Sequence, residues 1–334
     1  MEKNGIIPLG NCYLQETAST VGKKERLGPL HAWFDATEED EYFGKKTFEQ
    51  AESEMVRRNL GMLFEKAGIE NDLPEVILGG DLINQCTGTS FGIGGYGVPF
   101  FGLYGACSTI AEGLLLGSIL VDSGKFGSCC AVASSHFCTA ERQYRFPPEY
   151  GNQRPPLSQN TVTGAGAFLL TAQKTDIRIS EGIVGKIVDA GINDAGNMGA
   201  AMATAAADTI LRYFDHSRKK TADFDAIVTG DLGSEGTELC DELLANCGLN
   251  IAPKHLDCGM LIYDAEKQDM HAGGSGCGCL ASVLAGYFFK RMREKELHRI
   301  LAVGTGALLS ANSALQKLSI PGIAHGVVLE RTEA

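Results

Sequence analysis

The same order of elements occurs twice along the 334-residue chain. In each half an amphipathic helix precedes an apolar strand that ends in Gly-Asp-Leu, at Gly80–Leu82 and again at Gly230–Leu232. A turn of small residues around a cysteine, Gly105–Cys107 or Gly276–Gly278, then opens a second helix, and two more apolar strands follow. Because these landmarks recur in the same order, we interpret the chain as a duplicated unit.

The hydrophobic pattern predicts the individual elements of each half. Long helices are predicted over Thr47–Ile69 and Ala200–Lys220, and buried strands over Glu75–Leu82, Phe224–Leu232, Gly166–Ala172 and Gly322–Glu330. Strands that are apolar throughout and alternate with helices belong to sheets covered on both faces, which is the α/β class. The two predicted halves are residues 1–174 and 175–334.

Composition excludes several classes of protein. A formal charge of −12 leaves no basic stripe for nucleic acid. The eleven cysteines are irregularly spaced, which favours reduced, buried thiols over a disulfide framework. The longest apolar runs, Gly113–Val121 and Cys277–Phe289, are shorter than the roughly 18 residues of a membrane span. The N-terminus carries no secretory signal pattern, so we expect a soluble protein whose contact with any membrane is peripheral.

Cys107 is the candidate nucleophile. Thr109 and Glu112 are spaced as a capping box at the start of the following helix. A thiol there would experience the positive end of the helix dipole, which lowers the thiol pKa and favours the thiolate. The alternative is a small buried cysteine that fills a crowded turn, since free cysteine is among the most buried residue types.

A polar cluster follows the next strand, in SSHFCTAERQYRFPPEY. His136, Glu141, Arg142 and Arg145 emerge where a strand ends, beside the turn that carries Cys107. Arginine can engage a carboxylate through two parallel hydrogen bonds, so the cluster suits an anionic ligand. Alternatively, Glu141 and Arg145 form a surface helix pair and His136 is a satisfied core residue. Asp81 could line the same pocket or cap a neighbouring helix.

A duplicated α/β chain with a cysteine in this turn resembles the thiolase and ketoacyl synthase superfamily. The resemblance implies a thiolase-like fold of layers α-β-α-β-α, in which the cysteine is acylated with the help of a His and a second His or Asn. The glycine-rich loop of that superfamily is present as HAGGSGCGC, with His271 at its start. The expected histidine after the strand that ends at Gly230 is absent, because the sequence continues GDLGSEGTELC. The implied catalytic set is therefore incomplete.

Several longer segments resemble one family more closely. GDLINQ, SSHFCTAERQYRFPPEYG, AGGSGCGC and IAHGVVLER are similar to the stage V sporulation protein AD family, thiolase-like proteins of spore-forming bacteria. The resemblance implies non-enzymatic binding of dipicolinic acid (pyridine-2,6-dicarboxylate) for uptake into the developing spore and release at germination. It also implies a homodimer that sits peripherally at the spore inner membrane with small membrane proteins of the same operon. No cofactor or resident metal is implied.

The chemistry of the ligand indicates which residues would bind it. Arg142, Arg145, His136 and the loop amides of Gly273 and Gly274 could donate to its two carboxylates, and Cys107 or Phe137 could form the wall of a slot for its ring. If calcium arrives with the ligand, Asp81 and Glu141 become candidate ligands, because a hard cation takes oxygen atoms. Two alternatives stay open: an acyl-thioester condensing enzyme or acyltransferase with Cys107 as nucleophile, and a purely structural scaffold.

Overall fold

A path of hydrogen-bonded strands crosses the molecule, and its order repeats on either side of its midpoint. The computed structural model describes residues 5–144 and 155–332. Its strands are β1 (Ile6–Pro8), β2 (Tyr13–Val21), β3 (Ala36–Thr37), β4 (Ile77–Gly80), β5 (Phe100–Gly102), β6 (Ser128–Ser135), β7 (Asn160–Thr161), β8 (Gly164–Thr171), β9 (Ile177–Ile183), β10 (Ala226–Thr229), β11 (His255–Asp257), β12 (Gly274–Ser275), β13 (Arg299–Ala307) and β14 (Gly322–Arg331).

The strand order shows the duplication directly. From the midpoint outwards it is β2-β8-β6-β4-β5 on one side and β9-β14-β13-β10-β11 on the other, with β2 and β9 paired only at Tyr13 and Arg178. On each side the second strand is antiparallel to both neighbours and the outer three are parallel. The predicted duplicated α/β fold is therefore confirmed. The limits of the halves, 174 and 175, stay a prediction.

Helices separate and cover the two sheets. They are α1 (Phe48–Ala67), α2 (Thr87–Ile93), α3 (Thr109–Asp122), α4 (Phe137–Tyr144), α5 (Met198–His216), α6 (Gly233–Asn246), α7 (Cys258–Leu261), α8 (Cys277–Val283), α9 (Phe289–Arg293) and α10 (Ala311–Leu315). The core between the sheets contains α3 and α8, whereas α1 covers the outer face of the first sheet and α5 the outer face of the second. The layers are those predicted, α-β-α-β-α.

Alternation along the strands assigns side chains to these layers. In β6, Cys129 and Ala131 face the central layer, while Cys130 and Val132 face α1. In β10, Val228 faces the central layer, and the residues before it on the strand alternate between α5 and the central layer. Both faces of each strand are thus buried, which explains why the strands are apolar throughout.

Helix α1 begins and ends where its sequence indicates, whereas α5 begins two residues before the predicted Ala200 and ends four residues before the predicted Lys220. The Thr47 hydroxyl accepts from the Gln50 amide at 3.3 Å to cap α1, and Gly68 ends the helix in the left-handed conformation with φ 67°. In the second half, the Asn197 side chain caps α5 by accepting from the Ala200 amide. No helix in the described part of the chain is long and apolar enough to cross a bilayer.

The helix after Cys107 differs from the prediction at its start. The N-cap of α3 is Ser108, which makes no capping bond, so the predicted Thr109–Glu112 capping box is wrong. The Thr109 hydroxyl instead donates to the carbonyl of Ala106 at 2.7 Å and accepts from the Gly105 amide. These bonds hold the turn in which Ala106 has a positive φ of 50°. The Thr109 hydroxyl is therefore hydrogen-bonded within the tight turn and does not cap the helix.

Candidate functional site

An apolar cavity lies at the carboxyl ends of the parallel strands, beside the start of α3. Its enclosed volume is about 50 Å³, and the space between its walls with the open mouth included is about 550 Å³. Its lining consists of Leu82, Tyr104, Ala106, Cys107, Ala140, Glu141, Tyr144, Thr161, Ala195, Met198, Ser275, Ala307 and Leu309. The carboxyl ends of the strands are the usual place of ligand sites in α/β folds. Of the predicted site residues, Cys107 and Glu141 line it.

Cys107 lies in this wall as a protonated thiol. Its side chain is only 7% exposed. Burial, together with the nearby Asp231 carboxyl and Cys277 thiol, raises the Cys107 pKa well above its ordinary value. The predicted lowering of this pKa by the helix dipole is therefore wrong. The dipole contributes up to about 2 kcal/mol, whereas burying a charge costs several.

Asp231 is a buried acid near Cys107, and the sequence analysis did not single it out as a site residue. Its Oδ2 accepts from the Gly276 amide at 2.8 Å, and its Oδ1 accepts from the Thr305 hydroxyl at 2.7 Å. Burial raises the Asp231 pKa to about 7, although these two bonds and the Cys107 thiol oppose the shift. The repeated Gly-Asp-Leu was the signal that could have found it.

Cys277 completes the buried group around the turn. Its thiol donates to the carbonyl of Ala106 at 2.9 Å. Burial raises the Cys277 pKa well above its ordinary value, and nearby carboxyl groups add to this effect. Cys107 thus faces a carboxyl and a second thiol. The resemblance to condensing enzymes had implied a His and a second His or Asn near the cysteine.

Tyr104 and Tyr144 stand at the mouth of the cavity, and the sequence did not indicate either. Their hydroxyl oxygens lie 3.4 Å apart, and the Tyr144 hydroxyl also donates to the carbonyl of Leu82 at 2.7 Å. Both rings line the cavity and also an outer groove that includes Asn84 and Gln143. The two phenols therefore supply polar atoms to an otherwise apolar opening.

His136 does not line the cavity. It is buried, its Nδ1 accepts from the Cys138 amide at 3.1 Å, and its Nε2 donates to the carbonyl of Glu41 at 2.8 Å. Burial lowers its pKa, so the ring is neutral at pH 7. Both ring nitrogens are already engaged by backbone, which is the satisfied-core alternative of the sequence analysis.

Asp81 likewise serves the fold locally. Its Oδ1 accepts from the Ile83 amide at 2.8 Å, and its Oδ2 accepts from the amide and the hydroxyl of Thr89, each at 2.7 Å. These bonds cap the start of α2 and leave the carboxylate saturated. The structure therefore does not support Asp81 as a calcium ligand.

Arg142 of the predicted cluster does not line the cavity. Arg142 forms an ion pair with Glu49 at 2.8 Å and lines the outer groove instead. Arg145 lies outside the described residues. Neighbouring residues on a helix point about 100° apart, so Glu141 can face the cavity while Arg142 faces outwards.

Of the residues predicted from the glycine-rich loop, His271, Gly273 and Gly274 do not line the cavity. The Gly273 amide donates to the carbonyl of Met270 at 2.8 Å, and the Gly274 carbonyl accepts from Gln159. His271 contacts the carbonyl of Pro155 through Nδ1 and Asp269 through Nε2. Of this loop, Ser275 lines the cavity. Within the described residues, no three His, Cys, Asp or Glu side chains are grouped as a metal site.

Comparisons with known proteins give both a family and a fold. A family model described as Stage V sporulation protein AD matches residues 7–330. Stage V sporulation protein AD of Bacillus subtilis (strain 168) is 41% identical over 319 residues, covering 96% of this chain and 94% of that protein.

The similar solved structures share the fold at low sequence identity. The 3-oxoacyl-(acyl carrier protein) synthase III of Pseudomonas aeruginosa PAO1 has a TM-score of 0.59 at 12% identity and covers 97% of this chain and 99% of its own. A variant of OleA from Xanthomonas campestris has a TM-score of 0.61 at 15% identity, with the same coverage of 97% and 99%. At such identities the likeness establishes a thiolase-like fold alone.

Proposed function

Because this chain belongs to the stage V sporulation protein AD family, sporulation proteins with a thiolase-like fold, we propose that it binds dipicolinic acid without catalysing acyl transfer. The binding site is the cavity beside Cys107. The observation that supports the proposal is that Cys107 lies in the wall of this cavity as a protonated thiol, with the buried Asp231 carboxyl near it.

The shape and polarity of the cavity suit a flat aromatic acid. Alanine, leucine and methionine side chains offer apolar surface to a ring, and the hydroxyls of Tyr104, Thr161 and Ser275 offer donors to carboxylate oxygens. Cys107 then forms part of the wall. In this arrangement its thiol is a small polarizable contact rather than a nucleophile.

The charge of the lining favours the calcium chelate over the free dianion. Among the described residues of the lining there is no Lys, Arg or His, and Glu141 contributes a carboxylate. Dipicolinate carries two negative charges that calcium neutralises, so the chelate enters a site of this polarity at a lower electrostatic cost. Glu141 and the tyrosine hydroxyls supply the oxygen atoms that calcium prefers.

Acyl transfer is the alternative, and the surroundings of Cys107 argue against it. The thiolate is the nucleophile in acyl transfer, and the raised Cys107 pKa makes it scarce at pH 7. A tetrahedral intermediate also needs donors directed at its oxyanion, whereas Asp231 presents an acceptor when ionised. A Cys107 adduct detected by mass spectrometry after incubation with acyl thioesters would overturn the non-enzymatic assignment.

The wider role of the protein extends the same proposal. Binding of dipicolinate at the spore inner membrane, together with membrane proteins of the same operon, would place the chain in the uptake of dipicolinate during sporulation and its release at germination. Support comes from the family membership alone. Co-purification of the chain with those membrane proteins, lost on deletion of their genes, tests this part.

Calorimetry with dipicolinate, in the presence and absence of calcium, tests the ligand. We expect the wild type to bind, with tighter binding when calcium is present. Ala307→Leu fills the cavity and should abolish binding, and Glu141→Gln should weaken the calcium-dependent part by about tenfold, the equivalent of one charge-assisted contact. Arg142→Ala is the matched control, because Arg142 is next to Glu141 but outside the cavity. No binding by the wild type, or equal binding by Ala307→Leu, would contradict the proposal.

A further inference from the structure

The lining of the cavity suits dipicolinate, but the space that it encloses is smaller than this ligand. The enclosed volume is about 50 Å³. A dry cavity of about 150 Å³ holds benzene, which has six non-hydrogen atoms. Dipicolinate has twelve, because two carboxylate groups are attached to a ring of the same size. Part of the cavity wall must therefore move before the ligand can enter.

A much larger space lies on the other side of this wall. The outer groove has a volume of about 690 Å³, and its lining includes the side-chain amides of Asn84 and Gln143. Three residues line both the groove and the cavity, namely Tyr104, Tyr144 and Leu309. The groove has room for the whole ligand, and these three side chains separate it from the cavity.

Tyr144 is the part of this partition that can turn away without leaving its partner unsatisfied. Its hydroxyl donates to the carbonyl of Leu82 at 2.7 Å, and the side-chain amide of Gln143 donates to the same oxygen, also at 2.7 Å. When the Tyr144 ring rotates, this carbonyl keeps the bond from Gln143 and avoids the cost of an unpaired acceptor. The contact between the Tyr144 and Tyr104 hydroxyls, at 3.4 Å, is longer than the roughly 2.5–3.0 Å of an ordinary O–H···O bond and adds little.

The charges along this route do not oppose an anion. Burial raises the pKa of both Tyr104 and Tyr144, so the two phenols are uncharged at neutral pH. Among the described residues of the groove lining, the charged side chains are Glu49 and Arg142, which pair with each other at 2.8 Å. The groove therefore has no net charge, whereas the cavity lining carries the Glu141 carboxylate.

A side hollow reaches the cavity from another direction. It has a volume of about 320 Å³, shares Ala195 and Leu309 with the cavity, and is also lined by Ala314 and Lys317. An alanine side chain has no rotamers, so at Ala195 this wall opens only if the backbone moves. Leu309 borders the outer groove as well and does not distinguish the two routes. Rotation of a side chain alone therefore favours the route through the outer groove.

We propose that the outer groove is the entry site for the ligand, a flat aromatic dicarboxylate or its calcium chelate, and that the Tyr144 ring is the gate between the groove and the cavity. The inference rests on the proposed function, because it concerns the same cavity and the same ligand. The closed ring then slows both entry and exit, so it determines how long the ligand stays in the cavity.

Access to the cavity is measurable without dipicolinate, because Cys107 lies in the cavity wall. Alkylation of Cys107 by iodoacetamide at pH 9 is followed by peptide mapping in the wild type, Tyr144→Phe and Tyr144→Ala. Tyr144→Phe keeps the ring but loses the bond to Leu82, and we expect alkylation about fivefold faster, the equivalent of one neutral hydrogen bond. Tyr144→Ala removes the ring as well, and we expect at least about a tenfold increase.

A second reagent separates access from reactivity. Iodoacetanilide has the same reactive group as iodoacetamide and also carries a flat aromatic ring. A change in the Cys107 thiol itself would raise both rates by the same factor. An opened gate should raise the rate with iodoacetanilide by the larger factor, because the larger reagent is the one that the closed ring excludes more strongly.

Matched controls are present in the chain. Ala314→Trp fills the side hollow, does not touch the outer groove lining and should leave the Cys107 rates unchanged. The exposed Cys247 reports the activity of each reagent, and the buried Cys130 must stay unmodified in any variant that is folded.

The outcomes separate the gate from the proposed ligand. Equal Cys107 rates in the wild type and both folded Tyr144 variants would overturn the gate, whatever the calorimetry shows, and so would equal factors for the two reagents. Slower alkylation in Ala314→Trp would overturn entry through the outer groove. Faster alkylation in the Tyr144 variants, with a wild type that fails to bind dipicolinate, would overturn the ligand and support the gate.

Discussion

His325 shows how burial of one side chain couples stability to pH. Its Nδ1 accepts from the Gly185 amide at 3.2 Å, and burial lowers its pKa to about 4. The unfolded chain binds this proton near pH 6.5, so between pH 6.5 and 4 it holds a proton that the folded state does not. The contribution to stability is therefore complete above pH 6.5 and is lost as the pH falls. At pH 4.5 we expect a loss on the order of 2 kcal/mol.

Substitution of this histidine isolates the effect from that of the buried acids. Urea unfolding of His325→Asn at pH 7 and pH 4.5 should show about 2 kcal/mol less acid-induced loss than the wild type. His216→Asn, at the exposed end of α5, is the control and should follow the wild type. Equal acid sensitivity in the wild type and His325→Asn would show that His325 is not the titrating group.

At the residue scale the sequence indicated Cys107 but not its environment. The Asp231 carboxyl that acts on the Cys107 pKa lies 124 residues further along the chain, and no local pattern encodes such a proximity. The Cys107 pKa is raised because the thiol is buried. The prediction from the helix dipole did not take burial into account. His136 and Asp81 illustrate the same limit, since their partners are backbone groups whose positions depend on the complete fold.

At the scale of elements, a buried acid ties the cavity wall to the first sheet. Glu52 of α1 accepts from the Ser134 hydroxyl of β6 at 3.0 Å and from the Thr139 hydroxyl of α4 at 2.7 Å. The same helix α4 carries Ala140, Glu141 and Tyr144 of the cavity lining. Burial, followed by the charge of the nearby Asp81, raises the Glu52 pKa. The anchoring of α4 thus depends on a protonated carboxyl group.

Glu52→Gln should remove the pH dependence of this anchor. A raised pKa means that the contribution of Glu52 is complete below its ordinary value of 4.5 and is lost as the pH rises. Gln keeps the shape and its amide needs no proton from solution. Urea unfolding should therefore show the variant to be more stable than the wild type at pH 7, with the difference growing by on the order of 1 kcal/mol at pH 9.

The control for this prediction lies on the same helix. Glu65 of α1 is exposed, so Glu65→Gln should leave the pH dependence of stability unchanged. Parallel curves for the wild type and Glu52→Gln from pH 7 to pH 9 would contradict the prediction. A fall in the stability of Glu52→Gln at every pH would instead show that the Ser134 and Thr139 hydroxyls cannot turn to accept from an amide.

Element positions were more predictable than their internal details. The predicted helix Thr47–Ile69 and the observed α1 differ by one or two residues at each end, because a Thr cap and a Gly stop mark the boundaries locally. The helix after Gly276 was also predicted, but its π-helical segment Leu284–Phe288 was not. That segment packs against β2, where the Thr17 hydroxyl donates to the Ala285 carbonyl, and this contact is invisible in the local sequence.

At the scale of the whole molecule, the duplication was the sequence feature that best predicted the fold. It predicted two equivalent α/β halves, because apolar strands and small-residue turns recur in the same order in both. The strand order within each sheet did not follow from it, since the pattern contains no information on which strands are neighbours. The sequence predicted the position of the cavity only in part. Strand ends from both halves meet there, at Leu82 in the first and Ala307 in the second.

The outer strand of the first sheet leaves a surface that a second copy of the chain can cover. β5 pairs with β4 alone in the described structure, so one edge of the sheet has unpaired backbone groups. Phe101 on this strand is 52% exposed, and the nearby surface residues include Phe91 and Tyr104. An exposed aromatic edge is unfavourable in a monomer, and the family resemblance predicts a homodimer through it.

Disruption of this edge should separate the dimer. Phe101→Glu places a charge in the expected contact, and we expect it to convert a dimer to a monomer when molar mass is measured by light scattering during size-exclusion chromatography. Leu315→Glu is the matched control, because Leu315 is 83% exposed on α10 and is not part of the edge. A wild-type monomer, or a Phe101→Glu dimer, would contradict pairing through β5. Because Tyr104 belongs both to this surface and to the cavity mouth, a dimer formed there would also restrict access to the ligand site.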